Sequence, residues 1–134
     1  MGSIQTALRT AALAAILCAI ASSGYGQSIL QFDRWMQRIE RRSQSVQRHI
    51  TAGDAPSAVA DAHEIGELYR LMEGYFQQRG DAAEAVRISN EGATLADGIV
   101  KSIEISDYET ASRSAISIAR ACRDCHFQYK PLVD

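Results

Sequence analysis

The chain has 134 residues, of which 46% are hydrophobic and 22% are charged, and its formal net charge at neutral pH is −2. This balance fits one small globular domain and argues against a disordered or multidomain chain. Because the net charge is small and negative, the composition also argues against a nucleic-acid-binding protein or one held electrostatically at a membrane surface.

Residues 1–26 have the layout of a secretory signal peptide. A single basic residue precedes an apolar run over residues 11–21, and small residues follow that run. The run is about half as long as a bilayer-spanning helix, which needs about 20 residues. We therefore expect cleavage after Ser23 or Gly26, export to the periplasm, and a mature domain over residues 27–134 with no membrane span.

The first half of the mature region predicts two amphipathic helices. From Ile29 onward, apolar residues recur in steps of three and four, which is the period of one buried helix face. Gly53 predicts the end of this helix, near Thr51. A second helix is predicted over residues 55–79, where Gly80 ends it.

The second half predicts two more helices, each opened by a pattern that resembles a capping box. The D-x-x-E sequence at residues 81–84 opens the third helix, and the S-x-x-E sequence at residues 106–109 opens the fourth at about Asp107. No alternating pattern typical of strands occurs. Four helices joined by loops of two to five residues must fold back on one another, which predicts an all-α, antiparallel up-down-up-down four-helix bundle.

The apolar seam of the fourth helix carries Cys122, Cys125 and His126 in the order C-x-x-C-H. At positions i, i+3 and i+4 these side chains share one helix face. Two thiols at this spacing can join the two vinyl groups of a haem while the imidazole reaches the iron, and the pattern is typical of c-type haem attachment. Once the leader and its Cys18 are removed, these are the only cysteines. The predicted cofactor is one covalent haem c per chain, with His126 as the proximal iron ligand.

Three other uses of the cysteines stay open. A disulfide within one helix would be strained, since side chains at i and i+3 rarely meet disulfide geometry. A zinc site would require His49 and His63 to converge on the motif. A redox dithiol normally has its first cysteine at a helix N-terminus, whereas this pair lies near a helix C-terminus. No arrangement of nucleophile, base and oxyanion donors indicates an enzyme.

The motif near the C-terminus, an aromatic residue (Tyr129) three positions after His126 and a base (Lys130) four positions after it, resembles the class II cytochromes c. This family includes the cytochromes c′ and their low-spin relatives. The resemblance implies a four-helix bundle with covalent haem and dimerisation through the first helices. The very short connection at Gly80-Asp81 departs from many cytochromes c′.

The second axial ligand of the iron must come from upstream, since no methionine follows His126. In an antiparallel bundle Met36 lies within about 6 Å of the level of His126 along the axis, and Met72 lies at a similar level on the second helix. In the low-spin relatives a methionine of the first helix is the distal ligand, which Met36 matches. Ligation by Met36 predicts an electron carrier with redox partner proteins. An open sixth position predicts a protein that binds NO or CO, as the c′ members do.

Basic residues provide candidate contacts to the haem propionates. Arg34 and Arg38 belong to a basic flank of the first helix, and Lys130 follows the motif. Each could pair with a carboxylate of the cofactor, and the flank could instead dock an acidic redox partner.

Overall fold

The computed structural model describes residues 29–129, without the side chains of residues 128 and 129. This part of the chain forms four α-helices, which are α1 (Ile29–Ala52), α2 (Ala55–Arg79), α3 (Ala83–Glu104) and α4 (Tyr108–Tyr129). The proposed signal peptide and Lys130 lie outside the described residues. None of the described helices has the length and hydrophobicity needed to cross a membrane.

The helices form a closed ring in which each packs against its neighbours in sequence and α4 returns to α1. Two or three residues join successive helices, so neighbouring helices run in opposite directions. The prediction of an all-α, antiparallel four-helix bundle is confirmed. Each helix contributes a fully buried branched side chain to the centre of the core, and these are Val46, Ile65, Ile99 and Ile118.

The first two helix ends follow the sequence signals. Gly53 and Gly80 have φ values of +71° and +74°, the left-handed conformation that ends a helix and that glycine adopts at no steric cost. Asp54 then caps α2, because its side chain accepts a hydrogen bond from the Ser57 N–H at 3.2 Å. These contacts fix the short turn that returns α2 along α1.

The predicted capping box of the third helix is wrong. Ala82 occupies the N-cap position of α3, and no side chain caps it. Asp81 instead pairs with Arg79 across the Gly80 turn, with 3.3 Å between the Arg79 Nε and an Asp81 carboxylate oxygen. The carboxylate is drawn to the cation at the end of α2 rather than to the free N–H groups of α3.

The predicted start of the fourth helix is right in position, but Asp107 rather than Ser106 is the cap. The Asp107 carboxylate accepts the Thr110 N–H at 3.0 Å. Ser106 has a φ of +61°, the left-handed conformation that turns the chain out of α3. Its backbone therefore closes the preceding turn instead of opening α4.

A group of charged side chains joins α1 to α2. The carboxylate of Asp61, only 4% exposed as a residue, accepts hydrogen bonds from Arg42 at 3.0 Å and His49 at 2.9 Å. Arg42 also reaches Glu64 at 2.6 Å, and Arg38 pairs with the same carboxylate. These contacts fix the register of α1 against α2 on the side of α1 away from the α4 contact.

Candidate functional site

A groove of about 340 Å³ lies between α1 and α4. Its volume is within the range of about 300–1,000 Å³ that is usual for ligand sites. These two helices pack less extensively than the other neighbouring pairs, which leaves room for the groove. The α1 wall consists of Met36, Ile39, Glu40, Ser43, Gln44 and Gln47. The α4 wall consists of Ala119, Cys122, Arg123, Cys125 and His126.

Residues far apart in the sequence meet in this groove. Cys122, Cys125 and His126 line one wall, Met36 lines the facing wall, and Met72 reaches it from α2. Met36 is half-buried, Met72 is only 4% exposed, and His126 is exposed. The antiparallel course of α1 and α4 produces this meeting, because it puts the beginning of one helix beside the end of the other.

Both cysteine thiols are neutral groups in a largely apolar setting. Burial raises the pKa of the Cys122 thiol, and burial together with the nearby Cys122 raises the pKa of Cys125 to about 11. The cysteines of redox dithiols have lowered pKa values, so that the thiolate is present at neutral pH. The electrostatic setting of this pair is the opposite of the one that a redox dithiol requires.

Tyr69 of α2 is a groove residue to which the sequence pattern assigned no role. Its side chain is buried, with 2% exposure, and its hydroxyl lies 3.3 Å from the Cys122 Sγ. The ring passes over Gly92 of α3, where a Cβ would lie 2.6 Å from the ring carbons. The available sequence signal was a glycine at core spacing in the third helix, together with a tyrosine at core spacing in the second.

Polar groups occupy the α1 side of the groove. Ser43 is 5% exposed, and its Oγ has no hydrogen-bond partner among the described residues. Glu40, Gln44 and Gln47 are its neighbours along the same groove wall. The groove therefore has an apolar part, around the two methionines and the cysteines, and a polar part farther along α1.

The basic residue that lines the groove is Arg123, between the two cysteines. Arg34 and Arg38 are exposed on α1 and do not line the groove, and Arg38 is paired with Glu64 of α2. Arg123 is exposed and lies beside the cysteines on the α4 wall. Its position inside the C-x-x-C sequence was the signal that could have identified it.

The two remaining histidines, His49 and His63, do not lie beside the C-x-x-C-H motif. The Nδ1 of His49 is hydrogen-bonded to Asp61. At the usual helical rise, His49 lies about 20 Å from Met36 along α1. His63 is exposed on α2. Within residues 29–129, no three His, Cys, Asp or Glu side chains are grouped in a way that could hold a metal ion. The arrangement required for the zinc alternative is therefore not formed by these residues.

Comparison of the chain with models of protein families, with curated proteins and with solved structures gives no match. The groove is therefore interpreted from its own residues.

Proposed function

We propose that this chain is an exported electron-transfer protein of the class II cytochrome c type, with one haem c attached to Cys122 and Cys125. In this proposal His126 is the proximal iron ligand and Met36 the distal one. The observation that carries it is the meeting of these four residues in one groove, although Met36 and the C-x-x-C-H motif lie at opposite ends of the described chain.

The residues present fit such a cofactor. Two sulfurs and an imidazole line one wall for attachment and ligation, and a half-buried methionine thioether faces them. Ile39, Met72 and Ile88 give the groove an apolar lining, which would exclude water from a bound porphyrin. Bound haem would supply a one-electron iron couple, and a His/Met ligand pair raises its reduction potential.

Covalent attachment of the haem by the two thiols would require no oxidant or reductant. Each S–H would add across a vinyl double bond of the haem, so that the S–H bond and the π bond would be replaced by a carbon–sulfur bond and a C–H bond on the neighbouring vinyl carbon. The sulfur would attack as its thiolate, and the vinyl carbon would gain a proton in place of the one that the thiol releases. Thioether anchoring would also retain the cofactor in an exported protein, with the proposed leader at residues 1–26 directing it to the periplasm.

The chain's own residues would then have distinct tasks. His126 and Met36 would hold both axial positions of the iron and close it to small molecules. The apolar groove residues would exclude water, and this raises the reduction potential further by disfavouring the more highly charged ferric state. With haem bound, the protein would exchange electrons with redox partner proteins.

The test is to produce the full chain in cells that carry a cytochrome c maturation system. We expect haem that stays with the polypeptide on a denaturing gel, and loss of this haem in the Cys122→Ser, Cys125→Ser double variant. The ferrous protein should be low-spin, and Met36→Ala should convert it to a high-spin form that binds CO. A chain without covalent haem would contradict the proposal. A high-spin wild type that binds CO and is unchanged by Met36→Ala would instead indicate an NO- or CO-binding protein of the c′ kind.

A further inference from the structure

Tyr69 connects two helices whose backbones are not in contact. The described backbones of α2 and α4 lie diagonally across the bundle and are not in contact. The phenol of Tyr69 spans this diagonal, and its hydroxyl lies 3.3 Å from the Cys122 Sγ. The contact is partly buried, since Tyr69 is 2% exposed and Cys122 is of intermediate exposure. It brings a polar hydrogen-bonding group to one of the two sulfurs in the groove wall.

The position of the phenol depends on α3. Gly92 lies beneath the ring, and a Cβ at this position would be 2.6 Å from two of its carbons, which is closer than van der Waals contact allows. The ring is a rigid group in a packed core, so it could not give way without moving its hydroxyl. Tyr69, Gly92 and Cys122 therefore form one arrangement contributed by three helices.

The chemistry of the sulfur fixes the direction of this hydrogen bond. A free thiol can donate to the phenol or accept from it, whereas a thioether has no proton and can only accept. The phenol is protonated at neutral pH and can donate, and burial together with the nearby Cys122 raises the pKa of Tyr69 still further.

We propose that Tyr69 is a positioning residue for the cofactor, and that its hydroxyl donates a hydrogen bond to the Cys122 sulfur when that sulfur is a thioether. The bond would hold the Cys122 side of the haem against α2. This inference rests on the proposed function, because it requires haem at Cys122.

The hydrogen bond is tested by vibrational spectroscopy of the haem-loaded protein. Resonance Raman spectra of protein prepared in H₂O and in D₂O are compared in the region of the thioether C–S stretching bands. We expect one C–S band to shift on deuteration in the wild type, and the isotope shift to be lost in Tyr69→Phe. Tyr75→Phe is the matched control, since it removes a hydroxyl from the same helix outside the groove, and it should keep the shift.

A second variant tests the same contact independently, in case Tyr69→Phe fails to fold. Gly92→Ala retains the hydroxyl but displaces the ring, so the isotope shift should be lost there too, whereas Gly98→Ala in the same helix should retain it. Both substitutions that disturb the contact should also lower the reduction potential, because a donor to the sulfur withdraws electron density from the haem.

The outcomes separate the two proposals. Wild-type protein with covalent haem but without a deuterium-sensitive C–S band overturns the role of Tyr69 and leaves the proposed function intact. A shift that survives in Tyr69→Phe overturns it in the same way. A chain that carries no covalent haem overturns both.

Discussion

Gly92 of α3 has no side chain, and this allows the Tyr69 ring of α2 to pack directly against the α3 backbone and reach α4. The Tyr69 ring occupies the space that a Cβ would need. Alanine is the better helix former by about 1 kcal/mol, but the clash in a packed core costs about 1–3 kcal/mol. We therefore expect Gly92→Ala to lower the free energy of unfolding, measured by denaturant titration of the haem-loaded protein.

Gly98 supplies the control for that prediction, since the nearest atom to its Cβ position is the Ser114 Oγ at 3.8 Å. Gly98→Ala should stabilise the protein by up to about 1 kcal/mol. Equal effects of the two substitutions would show that the close approach of Tyr69 to α3 does not constrain the core.

Ser43 has a buried hydroxyl that lacks a partner among the described residues. An unsatisfied buried polar group costs about 1–3 kcal/mol, which alanine would remove together with one small atom. We expect Ser43→Ala to leave the protein as stable as the wild type or to stabilise it by about 1 kcal/mol. A clear loss of stability in the haem-loaded protein would mean that the hydroxyl is bonded to a group in the groove.

The sequence identified some of these residues and not others, for a physical reason. Cys122, Cys125 and His126 are adjacent on one helix turn, so their shared face follows from local geometry alone. The contact of Tyr69 with Cys122 depends on the rotation of α2, the missing side chain at Gly92 and the axial position of α4. No local pattern contains this information.

The contact between α1 and α2 depends strongly on one carboxylate. Asp61 is 4% exposed and bonded to both Arg42 and His49. Removing one partner of a buried charge network leaves the other charges uncompensated, which typically costs about 3–5 kcal/mol. Because the arginine here is partly exposed, we expect Asp61→Ala to cost somewhat less, about 2–3 kcal/mol, in urea unfolding.

Asp97 is the matched control for Asp61, because it forms an inter-helix pair with Arg70 at 2.6 Å in which both side chains are about half exposed. Exposed pairs contribute at most about 1 kcal/mol, so Asp97→Ala should have a small effect. If both variants lose the same stability, burial of Asp61 does not strengthen its contacts.

The cap of α4 predicts a specific pH dependence. Hydrogen bonds from Thr110, the backbone N–H first, hold the pKa of Asp107 below its usual value of 3.8. A lowered pKa in the folded state means that the stabilisation is complete above the usual value and is lost as the pH falls through the lower, folded-state pKa. Asp107→Ala should therefore lower the melting temperature at neutral pH, and the difference from the wild type should shrink in strongly acidic solution.

Glu109 provides the comparison, since its carboxylate pairs with the Arg113 side chain instead of capping the helix. Glu109→Ala should have a smaller effect on the melting temperature at neutral pH. A loss in Asp107→Ala that is the same at all pH values would contradict the capping role.

The helices could be predicted from the sequence much better than their caps. The period of the apolar residues extends over several turns, so it gives the element even where single positions are ambiguous. A cap depends on a single hydrogen bond. The Asp81 carboxylate could contact either Arg79 or the free N–H groups of α3, and the sequence pattern does not show which contact is the more favourable.

For the whole molecule, the short connections and four amphipathic helices were sufficient to predict the bundle. The groove itself could not be predicted in shape, because it depends on how far α1 and α4 separate where small side chains such as Ser43 and Ala119 lie between them. The placement of Arg38 against Glu64 also follows from the whole bundle, and it leaves Arg123 as the basic residue of the groove.

We propose above all that Cys122 and Cys125 carry haem through two thioether bonds. The most direct test is the absorption spectrum of the ferrous pyridine complex, recorded on full-length protein made with cytochrome c maturation and freed of non-covalent haem by acidic acetone. We expect one haem per chain with the absorption maximum of a haem bound through two thioethers, and the maximum of a singly attached haem in each single Cys→Ser variant that retains the cofactor. Protein that loses all haem in the extraction would contradict it.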